Sequence, residues 1–234
     1  MRVTTGLCNL RDVGGLPLID GGTVREGVLF RGDAPMVGDL DPELRPWPPG
    51  SVIDLRSDDE RAIVDTSLYW PPSMRVLTVS LMAEANPNTW ADDATPIGLD
   101  ILVPMYRGIA ERADLLVSVA RAAATGPTPV FVHCAGGKDR TAVAVALLLE
   151  VAGVETEAMI TDQLRSNEAI DDLRARFERA LGKTFAAPVP HTLADALLAA
   201  LQVWRAHPGG AAGWLVEHGL APGEVDALRA RLRG

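Results

Sequence analysis

The chain predicts an α/β fold with a small, mostly parallel central sheet flanked by helices and a helical C-terminal half. Three observations carry this. Short β-branched or aromatic runs (Val28-Leu29-Phe30, Ser51-Val52-Ile53-Asp54, Arg75 to Leu81 and Val130-Phe131-Val132) read as strands. They are separated by stretches of helical periodicity, the pattern that builds parallel sheets. From about residue 155 to 234 the apolar spacing is helical throughout. A chain of 234 residues, 47% hydrophobic and 23% charged, suits one domain over 1–234, with the part from about 155 packing on the rest.

In chain order, Gly14-Gly15 marks a tight turn, and Asp20-Gly21-Gly22 is a hairpin signal before the Val28 strand. Arg31-Gly32-Asp33 then leaves the sheet as a strand-end turn. Asp41 to Arg45 reads as a short helix ended by Pro46, Pro48 and Pro49. After the Ser51 strand, Ser57 and Glu60 have the spacing of a capping box. Arg56, at the strand end, is a candidate to reach a bound anion. Met82 to Pro96 is polar and aperiodic, a loop. Leu99 to Thr125 has a helical stripe through Leu102, Tyr106, Ile109, Leu116 and Val119, with a kink expected near Pro104 or Gly108. Gly126-Pro127 stops it and hands the chain to the Val130 strand. The next helix, from Thr141, is apolar nearly all round and should be buried. Helices follow at Glu155 to Ser166, at Ala169 to Leu181 with Arg174, Arg176 and Arg179 on its surface, and at Thr192 to Ala206. Two more are bounded by Gly209-Gly210 and Pro222-Gly223. Gly182 to Pro190 is a linker-like break.

The stretch Val130 to Thr141 carries the chemistry. A loop that opens a helix aims several backbone N–H groups at one point, with the positive end of the helix dipole behind them. Such a cradle fits a phosphate. Cys134 lies at its base, where these groups favour the thiolate. Arg140 can bind two phosphate oxygens through its planar fork, and Thr141 can donate a hydroxyl to the sulfur. Gly136 and Gly137 let the backbone turn and approach a ligand. The chemistry expected is attack of Cys134 on phosphorus, a phosphocysteine intermediate, then hydrolysis. A Walker loop is excluded, because Lys138 is followed by Asp139 rather than Ser or Thr.

The string His133-Cys134-Ala135-Gly136-Gly137-Lys138-Asp139-Arg140-Thr141 resembles the signature of the protein tyrosine phosphatase superfamily. Within it, the chain looks like a bacterial branch of tyrosine and dual-specificity enzymes with Lys-Asp inside the loop, some acting on phosphoinositides. Asn9 to Gly15, Arg31-Gly32-Asp33, Asp54 to Ser57 and Asp162 to Asn167 resemble further segments of that branch. The resemblance implies a phosphotyrosine phosphatase-like fold and hydrolysis of phosphate monoesters, from phosphotyrosine to phosphoserine, phosphothreonine or phosphoinositide. It implies Cys134 as nucleophile, with Arg140 and the amides of Ala135 to Arg140 on the phosphate and His133 steadying the loop. It implicates Asp139 as general acid. Lys138 points to a second anionic group on the substrate or to support for the first. Many relatives carry the acid on a loop with Trp and Asp, and Trp90-Ala91-Asp92-Asp93 loosely resembles it, so Asp92 or Asp93 is the alternative. The branch often has a helical lid where this chain has Gly182 to Pro190.

Two other functions share such a loop. Sulfur transfer also places a Cys in an anion-binding turn, and a non-catalytic phosphate-binding module would keep the cradle but not both Cys134 and Arg140. No cofactor and no metal are called for, since the four histidines show no ligand spacing. A net charge of −9 without a basic run argues against nucleic acid as a partner. The partner expected is a phosphorylated protein or phospholipid substrate. Two cysteines are too few for a disulfide framework. The N-terminus lacks a signal-peptide core and the longest apolar run falls short of a membrane span, so a cytoplasmic location is expected, with secretion lacking a signal peptide left open.

Overall fold

The structure is a computed structural model that describes residues 6–67, 69–86 and 97–234. Its sheet has five strands, β1 (Arg11–Asp12), β2 (Leu29–Gly32), β3 (Ser51–Asp54), β4 (Arg75–Thr78) and β5 (Val130–His133), in the order β1-β2-β5-β3-β4. Only β1 runs antiparallel to its neighbour; β2, β5, β3 and β4 are parallel. The β5 strand is therefore central, and Gly32, Asp54 and His133 align at its C-terminal end. That edge is where an open α/β sheet presents ligand sites.

Alternation along the strands divides the core. Leu29, Ile53, Val130 and Val132 face a large helical core, whereas Phe30, Val52 and Phe131 face the other side. There Trp70 completes a smaller cluster, with Trp47, Tyr69, Leu10 and Met74 packed on it from connecting segments. The helices are α1 (Asp58–Ile63), α2 (Leu99–Ala110), α3 (Ala113–Thr125), α4 (Asp139–Ala152), α5 (Thr156–Leu164), α6 (Ile170–Leu181), α7 (Ala194–Arg205), α8 (Gly210–Glu217) and α9 (Pro222–Leu232). A 3-10 turn, Arg165–Ala169, joins α5 to α6. The α4 helix is buried from Arg140 to Leu149, and α2, α3, α7 and α9 pack around it. No helix among the described residues is long and apolar enough to cross a membrane.

Several expectations change. The Asp41 to Arg45 stretch is not helical. Asp41 and Arg45 each precede a proline, whose ring disfavours the α region for the residue before it. The long helix at Leu99 to Thr125 is two helices, broken at Glu111–Arg112 rather than kinked at Pro104 or Gly108. Polar Glu111 and Arg112 interrupt the stripe between buried Ile109 and Leu116. Arg176 is not on the surface of α6: it is 1% exposed and paired with Asp33 and Asp39. The Gly182 to Pro190 stretch is the break its composition predicts and not the helical lid of the resembled branch.

Candidate active site

The Ser57–Glu60 capping box forms as the spacing predicts, and it does a second job. Ser57 caps α1, accepting from Glu60 N at 3.1 Å, while the Glu60 carboxylate accepts from Ser57 N at 2.8 Å. The same carboxylate is gripped by both terminal nitrogens of Arg140, with Nη2 at 2.6 Å. Burial works against the Arg140 charge, but Glu60 and then Cys134 more than offset it and hold its pKa above the ordinary value.

The loop from Cys134 to Lys138 turns its carbonyls outward, each to a different donor. His133 Nδ1 lies 3.1 Å from Cys134 O, and Ala34 N donates to Ala135 O at 2.9 Å. Asn9 Nδ2 donates to Gly136 O at 2.8 Å, Arg31 Nη2 to Gly137 O at 3.0 Å and Gln163 Nε2 to Lys138 O at 3.0 Å. These peptide bonds are trans. In a planar trans peptide the N–H of the next residue points opposite to the C=O. Five outward carbonyls therefore turn the N–H groups of Ala135 to Asp139 inward. Gly137 permits the turn at φ +66°, and a Cβ there would stand 2.2 Å from the carbonyl of Gly32.

The donors are themselves fixed. Arg11 and Arg31 converge on Asp162 at 2.6 and 2.7 Å, and Arg11 also donates to Asn9 Oδ1 at 2.6 Å. Burial and the neighbouring Arg31 push the Arg11 guanidinium down to about 10. Burial would raise Asp162, but the two arginines hold it below the usual carboxylate range. Asp12 accepts from Gly14 N and Gly27 N and so ties the Gly14-Gly15 turn to the body. Arg56 donates to Asp54, Val64 O and Thr66, which hold it at the β3 exit, and it lines the same cavity as Cys134 and Arg140. Burial opposes ionisation of Asp54, yet the nearby His133 and then Arg56 reverse this and the carboxyl falls to about 2. His133 is wholly buried, and burial lowers its pKa, leaving a neutral ring.

Cys134, Ala135, Gly136, Lys138, Asp139 and Arg140 line one cavity of about 220 Å³. Its other walls are mainly apolar: Ile63 and Val64 beyond Arg56, Leu173, Phe177 and Leu181 of α6, and Phe185 and Ala187 to Pro190 of the segment between α6 and α7, which covers it. Gly136 meets α6 directly, since a Cβ on it would lie 3.3 Å from the Phe177 ring. Asp139 starts α4 and accepts from Lys138 Nζ at 2.8 Å and from Tyr106 Oη at 2.9 Å. Thr141 Oγ1 is buried without a hydrogen-bond partner among the described residues. Asp92 and Asp93 lie outside the described residues. Sequence reasoning read Glu60 only as a cap and passed over Tyr106; the spacing of a capping box says nothing about what else its carboxylate meets.

The model of the tyrosine phosphatase family matches residues 3–234. The chain belongs to that family. It is 34% identical over 122 residues to the triple specificity protein phosphatase PtpB of Mycobacterium tuberculosis, covering 45% of this chain and 44% of that protein. It is 30% identical over 171 residues to a putative tyrosine-protein phosphatase of Cupriavidus necator, covering 69% of this chain and 61% of that protein. The aligned regions thus span about half the length of these curated relatives. Family membership agrees with the resemblance carried by the loop at Cys134 and with the parallel sheet that presents it.

Proposed function

We propose that this chain is a cysteine-dependent phosphatase that hydrolyses phosphate monoesters through a phosphocysteine intermediate. One observation carries the reading. A ring of inward N–H groups, Cys134 and a Glu60-clamped Arg140 share the floor of one cavity.

The N–H groups of the loop and Arg140 hold the three non-bridging oxygens, where charge gathers in the transition state. The Cys134 sulfur attacks phosphorus, forming the S–P bond as the ester P–O bond breaks. Asp139 gives its proton to the departing oxygen. Water then attacks phosphorus, the Asp139 carboxylate takes its proton, and the S–P bond breaks to release inorganic phosphate. Thr141, whose hydroxyl lacks a partner among the described residues, supplies a hydrogen bond to the departing sulfur. His133 acts on the loop through Cys134 O rather than on the substrate.

The apolar walls around Phe177 and Phe185 favour an aryl ester, hence phosphotyrosine over phosphoserine or phosphothreonine. A second reading rests on Lys138, which lines the same cavity and would meet a second anionic group on a phosphoinositide. Comparing Lys138→Ala on phosphotyrosine and phosphoinositide separates the two, since equal losses remove the second reading. The chemistry itself is tested with para-nitrophenyl phosphate: vanadate should inhibit, and Cys134→Ser should abolish turnover. Parent-like turnover by Cys134→Ser would sink the proposal, and release of thiocyanate from thiosulfate and cyanide would favour sulfur transfer.

A further inference from the structure

A buried cluster of hydroxyl and amide groups lies directly behind Asp139, and the chemistry set out above makes no use of it. Tyr106 comes from α2, Gln163 from α5, and Thr192 from the last residues of the covering segment before α7. All three are at most 1% exposed. Tyr106 Oη lies 2.9 Å from Asp139 Oδ1 and 2.9 Å from Thr192 Oγ1, and accepts from Gln163 Nε2 at 3.0 Å. Gln163 Nε2 also reaches Thr192 Oγ1 and the loop carbonyl of Lys138. Thr192 cannot drift, because its backbone N–H donates to Asn167 Oδ1 at 2.8 Å and its carbonyl accepts from Asn167 Nδ2 at 3.1 Å.

We propose that Tyr106, held by Thr192 and Gln163, is the positioning residue that aims Asp139 at the leaving oxygen. This rests on the reading of Asp139 as general acid. A hydroxyl has one proton, so a phenol that donates to Asp139 Oδ1 must itself accept from its neighbours, and Thr192 and Gln163 are placed to donate. Occupying Oδ1 in this way fixes the carboxyl plane and assigns the transferable proton to Oδ2, which Lys138 Nζ meets at 2.8 Å. Burial and the nearby Asp139 carboxylate raise the Tyr106 pKa well above its ordinary value, so the phenol stays a donor throughout the working range. Lys138 alone could orient the carboxylate only loosely, through a flexible stem; Tyr106 is fixed by the α2 core.

The test compares phenyl phosphate, whose leaving group needs a proton, with para-nitrophenyl phosphate, whose leaving group needs one far less. Tyr106→Phe should lower kcat on phenyl phosphate by about tenfold or more, spare para-nitrophenyl phosphate and leave KM unchanged. Thr192→Val should move in the same direction and Thr192→Ser should restore the parent value; this pair carries the test if Tyr106→Phe does not fold by its melting curve. Adding Tyr106→Phe to Asp139→Asn should cost nothing more. Equal losses on both esters, no loss on either, or a full further loss in the Asp139→Asn background would each overturn the inference. If Asp139→Asn alone is indifferent to the leaving group, the general-acid reading has failed and the inference falls with it. If Asp139→Asn is selective and Tyr106→Phe is not, only the inference has failed.

Discussion

Glu60 grips Arg140 beside the Cys134 loop, and its replacement tests how much of the proposed site depends on one carboxylate. It is 2% exposed and accepts two bonds from Arg140 and a third from Ser57 N. Glu60→Ala leaves the Arg140 guanidinium buried without its main counter-charge, a change that costs about 3–5 kcal/mol. In a domain of this size each 1 kcal/mol moves Tm by roughly 2–4 °C, so the midpoint should fall by about 6–20 °C. Glu60→Gln separates the jobs. A glutamine at the third helical position still serves a capping box, yet it offers Arg140 one neutral acceptor instead of a bidentate carboxylate. Hydrogen bonds to charged groups are worth about 1.5–3 kcal/mol, so kcat/KM on an aryl phosphate should fall about tenfold to a hundredfold. Steady-state kinetics and calorimetry on both variants at one pH make the comparison. A Glu60→Gln enzyme with parent kcat/KM would refute the clamp, and a Glu60→Ala protein melting within about 2 °C of the parent would refute the energetics.

Three further outcomes are expected. Gly137→Ala places a Cβ 2.2 Å from backbone at a left-handed φ, so the loop must open and phosphatase activity should be lost even where circular dichroism shows a folded chain. Asp162→Asn leaves two buried guanidiniums sharing a neutral amide, and thermal unfolding should report a loss of about 3–5 kcal/mol with a parallel fall in activity. His133, with its pKa lowered by burial, stays neutral in the fold while the unfolded chain takes up a proton as pH falls through 6.5. Its contribution is therefore intact above that pH and drains away between it and the lowered folded value, whereas Asp54 withdraws its contribution only between 3.8 and about 2. Urea titrations from pH 8 to 5 should show a steeper acid-side decline for the parent than for His133→Asn, and coincident slopes would count against this origin.

What was legible in the sequence was what periodicity and local chemistry encode. The runs at Leu29, Val52, Val76 and Val130 are strands, and the loop opening α4 brings Cys134 and Arg140 into one cavity. Boundaries that depend on tertiary partners were not legible. A continuous stripe from Leu102 to Val119 hides a break that only packing around Glu111 and Arg112 reveals. Arg176 sits in a charged run that looks like a solvated face, and nothing local announces that Asp33 and Asp39, more than a hundred residues earlier, will meet it. Tyr106 is the same case: its apolar ring fits the α2 stripe, while its hydroxyl finds Asp139 across the core.

How an acidic chain comes to hold an anion follows from which charges are cancelled. Arg140 is matched by Glu60, Arg56 by Asp54 and Lys138 by Asp139, while Arg176 faces two carboxylates. Behind Gly137, by contrast, Arg11 and Arg31 share the single carboxylate of Asp162. That cluster keeps one uncancelled positive charge, buried and so little screened by salt. Arg31 passes part of it into the loop by donating to Gly137 O, polarising a peptide whose N–H faces the cavity. On the proposed reading, the attraction for a phosphate comes from oriented peptides, the N-terminus of α4 and one surplus charge behind them, rather than from a basic surface. The matched pairs serve geometry instead: each fixes an arginine or lysine in place without lifting the overall charge of −9.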